Sequence, residues 1–546
     1  MKRKIFVLFF LTAITINTIF GQTKPIKNII IMIPDGTSID LLALARWYKN
    51  SPLAIDPYIR GLVKTHCSDT PIGDSAPTGS TYATGHLSRP GFVATYPDSV
   101  MQGMNIIATD PKKAFSPMFT ILESAKLMGK STGLVVTCYF PHATPADFSS
   151  HLQFRDNYEV LSRQMVYNNI DLVLGGGFNY LDLKNRKDKL DLYQVLKTRG
   201  FTFAKTPAEL QSFSGQKIWG LFAPESLKNE IDRDPNAQPT LSEMTQKGIE
   251  ILSKNPNGFF MMVEGSKVDW SAHDNDPIGM ITEFLAFDKA VEVALDYAKI
   301  DGQTLVIIVP DHGNSGISIG NKKSDKRYDE ITLKQLIGPL KAAKNTADII
   351  TDLIDSTSTS EQIRTIFSQH FGVPDITNEE IDSIQSYFRY KTMVKEKKIR
   401  KNPISLQKLT ASIITNRTYL GFTTYGHTGE DVFFAAYDPR NIAPTGLILN
   451  NEVNEYMQQA WNTNLDSLTS LYFAPHYEVF NGLNYSIDST DKQNKILVVK
   501  TKKITLRIPE NQNIVFVNGV EKQYPTIIVY NGLWFYVPKS LRMLLE

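Results

Sequence analysis

Asp269 and His273 stand four residues apart, so one face of a helix would present a carboxylate and an imidazole to a single cation. Asp311 and His312 are adjacent after an apolar run, where a turn aims both at a metal. His427 lies in Tyr425-Gly426-His427-Thr428-Gly429-Glu430-Asp431, a loop-like segment before the apolar Val432-Phe433-Phe434. Carboxylate and imidazole together suit zinc, whereas Thr, Glu and Asp oxygens suit magnesium. Asp74-Ser75-Ala76 opens a helix-compatible stretch, 77–85. A serine at a helix start is either a cap or a nucleophile whose phosphorylated form rests on backbone N–H groups. A nearby divalent cation would favour its alkoxide, in place of the histidine base of a proteolytic triad. The chain has no nucleotide loop of the form Gly-x-x-x-x-Gly-Lys-Ser/Thr.

These residues follow short apolar runs at 28–33, 133–137, 171–174, 258–263 and 304–309, each ending in a polar or Gly-containing segment. Such runs suit buried parallel strands joined by helical crossovers. The pattern predicts helices over 116–128, with Ser116 as N-cap and Pro117 at the first helical position, and over 277–297. The expected fold is α/β, a mostly parallel central sheet with helices on both faces. In such sheets, sites gather beyond the carboxyl ends of the strands. Residues from about 322 to 416 are polar and helix-rich and read as a helical insertion in a main domain spanning 22–473. The runs 495–499, 504–508, 514–517, 526–529 and 533–537, with Asn518-Gly519 and Asn531-Gly532 among the turn residues, read as a small β-rich C-terminal module, 474–546.

Taken in order, Pro34-Asp35-Gly36, Asp74-Ser75-Ala76, His142-Ala143-Thr144-Pro145-Ala146, Arg155, Glu264-Gly265, Asp269 to His273, Asp311-His312-Gly313 and His427-Thr428-Gly429-Glu430-Asp431 resemble the alkaline phosphatase family. The resemblance covers roughly 26–315 and 420–470. It implies a phosphomonoesterase with Ser75 as the nucleophile that becomes phosphoserine. It implies two zinc ions, one on Asp269, His273 and His427 and one on Asp35, Asp311 and His312, the latter also touching Ser75. A third site, for magnesium, would use Asp35, Thr144 and Glu264, and Arg155 would clamp phosphate. His142 and Trp270 then lie behind the ligands. Many bacterial relatives carry Asp and Lys at these two places, so the third site and product phosphate are expected to bind weakly. The resemblance also implies a homodimer.

The rest of the sequence bounds this reading. With 58 Lys plus Arg against 56 Asp plus Glu, the net charge is +2 and gives no footprint for nucleic acid. The basic stretch 395–401 reads as a solvated face. Hydrophobic residues are 42% and charged residues 21%, which excludes a disordered, collagen-like or multi-pass membrane protein. Lys2, Arg3 and Lys4 precede an apolar run, 5–20, that is short for a membrane span, with a plausible cleavage point at Gly21-Gln22. Residues 1–21 therefore read as a signal peptide, and the protein as periplasmic or secreted. Cys67 and Cys138 are too few for a disulfide framework, and their pairing is open. The rival readings are a phosphodiesterase of the same superfamily and a secreted binding protein that reuses the fold.

Overall fold

Ten strands build the central sheet: β1 (Asn28–Pro34), β2 (Ile59–Lys64), β3 (Ser131–Tyr139), β4 (Leu172–Gly176), β5 (Thr202–Ala204), β6 (Ile218–Leu221), β7 (Phe259–Gly265), β8 (Thr304–Ile308), β9 (Val432–Tyr437) and β10 (Gly446–Leu449). Their order is β10-β2-β9-β8-β1-β7-β3-β4-β6-β5 in the computed structural model, which describes residues 25–396 and 404–545. The signal segment and residues 397–401 of the basic stretch lie outside the described residues. All neighbours run parallel except β9, which is antiparallel to both β8 and β2.

Alternation along β1 explains why its sequence is continuously apolar. Ile29, Ile31 and Ile33 enter the core on one face, while Ile30 and Met32 enter the core on the other. A strand covered on both faces has no solvent side for a polar residue. Ile33 pairs with Glu264 of β7, and Val136 of β3 pairs with the same residue. This register brings the carboxyl ends of β1, β7 and β3 side by side.

Helix α1 (Ser75–Thr84) is buried along its whole length. Helix α2 (Ile121–Leu127) begins later than the sequence reading expected. Residues 117 and 118 instead join the 94–95 segment, through a bridge between Thr95 and Pro117 and the bond from Met118 N–H to Ala94 C=O. Thr120 is the N-cap and closes a capping box with Glu123, which outcompetes Ser116-Pro117 as a start. Helix α3 (Lys267–His273) and the long α4 (Pro277–Asp301) follow β7.

Between β8 and β9 the described residues form five helices: α5 (Leu333–Ala342), α6 (Ala347–Asp352), α7 (Ser360–His370), α8 (Asn378–Lys395) and α9 (Leu406–Thr415). After β10 and two further helices, a seven-stranded antiparallel sheet closes the chain. Its strands are β11 (Ala474–Pro475), β12 (Asn484–Asp488), β13 (Ile496–Lys500), β14 (Thr505–Pro509), β15 (Gln512–Val517), β16 (Val520–Tyr530) and β17 (Phe535–Val537), in the order β11-β17-β16-β15-β14-β13-β12. Ile528 packs in this sheet's own core, whereas Ile527 and Val529 pack into the core of the large domain. Among the described residues no helix is long and apolar enough to cross a membrane.

Candidate active site and metal centre

The strand ends deliver the acidic side chains. Asp35 follows β1, Glu264 closes β7, and Asp311 follows β8, all with no exposed surface. Gly36, in the left-handed region at φ +60°, donates its N–H to Asp311 Oδ1 at 3.0 Å. A Cβ there would lie 2.3 Å from Asp269 Oδ1, so the turn after β1 tolerates only glycine.

Helix α3 carries Asp269 and His273, one turn apart. A two-residue ladder pairs Gly313-Asn314 with His427-Thr428 and brings His427 to them. Ligand atoms of Asp269, His273 and His427 all lie within 4.8 Å of one another, and so do those of Asp35, Asp311 and His312. The three imidazoles share one orientation rule. Nδ1 of His273 faces Tyr425 C=O at 2.8 Å, that of His427 faces Gly73 C=O at 2.9 Å, and that of His312 faces Gly313 C=O at 3.1 Å. A carbonyl only accepts, so each Nδ1 carries a proton, and in the neutral ring each Nε2 presents a lone pair. Those Nε2 atoms converge. His273 and His427 meet at 3.1 Å, and His312 Nε2 lies 3.4 Å from oxygens of Asp35 and Asp311.

Ser75 is the first residue of α1 and is 2% exposed. Its Oγ lies 3.4 Å from Asp35 Oδ1 and 3.3 Å from His312 Nε2. Asp74 occupies the N-cap position but caps nothing, because its carboxylate holds Arg155 Nη1 at 2.6 Å. The amino end of α1 is thus left without a side-chain cap, next to a guanidinium.

A model of the alkaline phosphatase family matches residues 26–463. The chain belongs to that family. Alkaline phosphatase 3 of Bacillus subtilis (strain 168) is 32% identical over 461 residues, 82% of this chain and 91% of that protein. Alkaline phosphatase 4 of the same organism is 33% identical over 443 residues, covering 78% and 87%. The crystal structure of a cold-active alkaline phosphatase from a psychrophilic Shewanella sp. is similar at TM-score 0.65 and 28% identity, over 79% of this chain and 99% of that one. The C-terminal sheet lies beyond the residues that the family matches.

The buried donors fit cations. Asp35 Oδ2, Asp311 Oδ2, Glu264 Oε1 and Thr144 Oγ1 are buried with no hydrogen-bond partner. Orphaned buried oxygens are costly unless something positive meets them. Burial, with the charges of Asp311, Asp269 and Glu264, pushes Asp35 well above the usual carboxylate range, and burial lifts Glu264 to about 8. Burial also raises Asp269, but His273, His312 and His427 outweigh it and hold that carboxyl low.

His142 is wedged between aromatic rings. Tyr139 meets it edge-on at 5.2 Å and Trp270 at 5.7 Å, and its Nε2 lies 3.3 Å from Arg155 Nη2. Burial, then the Arg155 charge, lowers it to about 3, so the ring stays neutral. Lys267 Nζ stands 5.5 Å over the Trp270 ring and is not free in the site, for it donates to Leu227 C=O.

Two residues escaped the sequence reading. Asn314 donates to Asp269 Oδ1 at 2.7 Å and fixes that carboxylate. Its only signal was its place two residues after His312. Cys138, a free buried thiol at the end of β3, lies 3.6 Å from Glu264 Oε2. Cys67 is also buried and unpaired.

Proposed function

We propose that the chain is an exported, metal-dependent phosphomonoesterase that works through a phosphoserine on Ser75. The observation that carries this reading is the position of Ser75 Oγ at the uncapped start of a buried helix, beside Asp35, His312 and the Asp74–Arg155 pair. Export rests on Lys2, Arg3, Lys4 and the apolar run that follows.

Asp269, His273 and His427 would hold one zinc ion, Asp35, Asp311 and His312 a second, and Asp35, Thr144 and Glu264 a magnesium ion. Bound there, the cations would neutralise the buried carboxylates, favour the Ser75 alkoxide and stabilise the attacking and leaving oxygens of an in-line displacement. Ser75 Oγ forms a bond to phosphorus as the bond to the ester oxygen breaks. Water then displaces Ser75 and yields inorganic phosphate. Arg155 binds two phosphate oxygens with its planar fork, exchanging one anionic partner, Asp74, for another. The start of α1, which no side chain caps, would add its N–H groups to that binding. Behind them, the backbone carbonyls of Gly73, Gly313 and Tyr425 keep each imidazole in one tautomer. Trp270 places an indole where many bacterial relatives place a cation, which favours release of phosphate. Trp270→Lys is therefore expected to tighten phosphate inhibition, measured as the inhibition constant beside the parent.

The test is trapping with labelled phosphate at low pH. The parent should be labelled on Ser75, and Ser75→Ala should be unlabelled, with turnover of p-nitrophenyl phosphate down on the order of 10⁴-fold or more. Equal labelling of both would remove Ser75 from the chemistry. Faster turnover of bis(p-nitrophenyl) phosphate than of the monoester would make the enzyme a diesterase.

A further inference from the structure

The segment that ends in Arg155 lines a cavity of about 660 Å³ to which the C-terminal sheet also contributes. Val93 and Leu152 exchange backbone hydrogen bonds, and Arg155 donates its N–H to Gly91 C=O at 2.9 Å, so 91–93 and 152–155 run side by side. Phe92, Phe115 and Phe154 line the cavity from the large domain, and Leu533, in the turn between β16 and β17, lines it from the sheet. Phe154 and Leu533 are 69% and 64% exposed. Large apolar side chains left in water around one cavity mark a binding surface. Phe115 sits at φ +64°, in the left-handed region that a bulky residue adopts only at a cost. Its N–H donates to Tyr96 C=O at 3.0 Å, and its C=O accepts from Asn531 Nδ2 at 3.1 Å and Gln153 Nε2 at 3.4 Å. Its ring packs tilted on Phe92, 5.9 Å between centroids. The C-terminal sheet thus helps to hold, through Asn531, a strained residue whose ring lines the cavity.

We propose that this cavity receives the alcohol part of the phosphate ester and selects uncharged alcohols that carry an aromatic ring. The proposal rests on the phosphomonoesterase reading above. Arg155 belongs to both places: its guanidinium holds Asp74, next to Ser75, while its backbone closes on Gly91 in the cavity wall. An ester whose phosphate meets that guanidinium extends its alcohol along the Arg155 side chain towards the three phenylalanines. Their rings meet an aromatic group edge-on or offset, and its arrival takes apolar surface of Phe154 and Leu533 out of water. The charged side chains of the lining are Arg89, Asp98, Arg155 and Asp156. Arg89 is committed to Asp98 at 2.8 Å and to Asp69 at 3.1 Å. Once Arg155 turns to phosphate, Asp156 is the charge left over, so an anionic alcohol is disfavoured. The C-terminal sheet, beyond the residues 26–463 that the family matches, then sets which ester is taken without touching the cations.

The experiment measures kcat/KM of the metal-loaded full chain for 2-(2-naphthyl)ethyl phosphate and for ethyl phosphate. Both are esters of primary alcohols, so the bond that breaks is closely matched. The parent should prefer the naphthyl ester on the order of tenfold or more, chiefly through KM. Leu533→Ser and Phe154→Ser should each lower that preference about fivefold or more. Each preference is a ratio within one preparation, so loss of folded protein cancels from it. A parent with equal kcat/KM for the two esters overturns the proposal and needs no variant to fold. A preference that survives undiminished in both variants overturns it too. Faster turnover of the 6-carboxynaphthyl analogue than of the naphthyl ester overturns the selection for uncharged alcohols. Labelling of Ser75 beside equal turnover of the two esters defeats this proposal alone, whereas a parent that turns over neither ester and leaves Ser75 unlabelled defeats the phosphomonoesterase reading beneath it.

Discussion

The ends of the central strands and the starts of three helices between β8 and β9 treat their polar side chains in opposite ways. At the helix starts, Thr332, Thr359 and Thr377 each accept a bond from the backbone three residues on, and Gln335, Gln362 and Glu380 each bond back. Every one of these side chains is satisfied within its own turn. At the ends of β1, β3, β7 and β8 the reverse holds. Asp35, Asp311, Glu264, Thr144 and His142 each keep a buried polar atom without a partner. A local cap needs only the chain to fold, whereas the strand-end cluster needs something from outside the chain. Stability in the first region is therefore expected to be indifferent to metal, and in the second to depend on it.

Metal removal is the strongest test of that contrast. Chelation should abolish activity and steepen a pH effect. In the metal-free protein Glu264 is held near 8 by burial, against 4.5 for the free side chain. The folded state then keeps a proton that the unfolded state has lost. That contribution to stability is present below the unfolded value and is lost as pH rises towards the folded one. His142, lowered to about 3, acts in the other direction but only below the ordinary histidine range. From about pH 6.5 to about 8 the chelated protein should thus lose stability by several degrees of Tm. Metal-loaded enzyme should keep the weaker slope of carboxyls that join no donor group, such as Glu283 and Asp276, which burial lifts to about 7, and Asp147, which burial also raises. Thermal melts of both forms across that range decide it. A chelated protein that gains stability with rising pH would contradict the picture, and Glu264→Gln should flatten its slope.

The same contrast explains what was legible in the sequence. Asp35, Asp311 and His312 stand directly after apolar runs, and Asp269 and His273 are one helical turn apart, so local spacing carries them. Cys138 and Asn314 reach the site through the register of β3 on β7 and through the ladder with His427, relations between distant segments that local spacing does not contain. The start of α2 was misplaced for a related reason. Pro117 is a good first helical residue, but its segment is held by 94–95, across the fold. The antiparallel direction of β9 is likewise a property of its partners, not of Val432-Phe433-Phe434.

The C-terminal sheet supplies an intermediate case. Five of its seven strands were visible as runs between turns, but β11, β12 and the face that meets the rest of the chain were not. Ile527 and Val529 enter the large domain's core, and Gln164 and Arg199 donate to Asn511 and Asn513 at 2.9 and 2.8 Å. Ile527, fully buried, should cost about 2–5 kcal/mol as Ile527→Ala, through lost burial and the cavity left behind. Activity per folded molecule should stay unchanged, since no donor to the cation sites lies in the sheet. Denaturant melts beside kcat measure the two. A drop in kcat without a drop in stability would make the sheet part of the catalytic apparatus.

The smallest expected effect lies at those helix starts and bears most directly on their independence from metal. Thr377 accepts from Glu380 N–H at 3.2 Å, and Glu380 accepts from Thr377 N–H at 3.0 Å. Glu380 also takes two bonds from Arg417, at 2.9 and 3.0 Å, which tie the start of α8 to the segment after α9. Thr377→Ala leaves the Arg417 pair in place and removes the cap alone, at a cost of about 1 kcal/mol. The pair itself is only about a fifth exposed and stays in place in the variant. The loss should be equal in chelated and metal-loaded protein, because the two regions share neither a donor nor a charge partner here. Melts of the variant and the parent with and without metal measure it. If the loss were markedly larger in the chelated protein, the helix starts would be coupled to the strand ends, and the division between self-satisfied and cation-dependent polar groups would not follow the boundary drawn here.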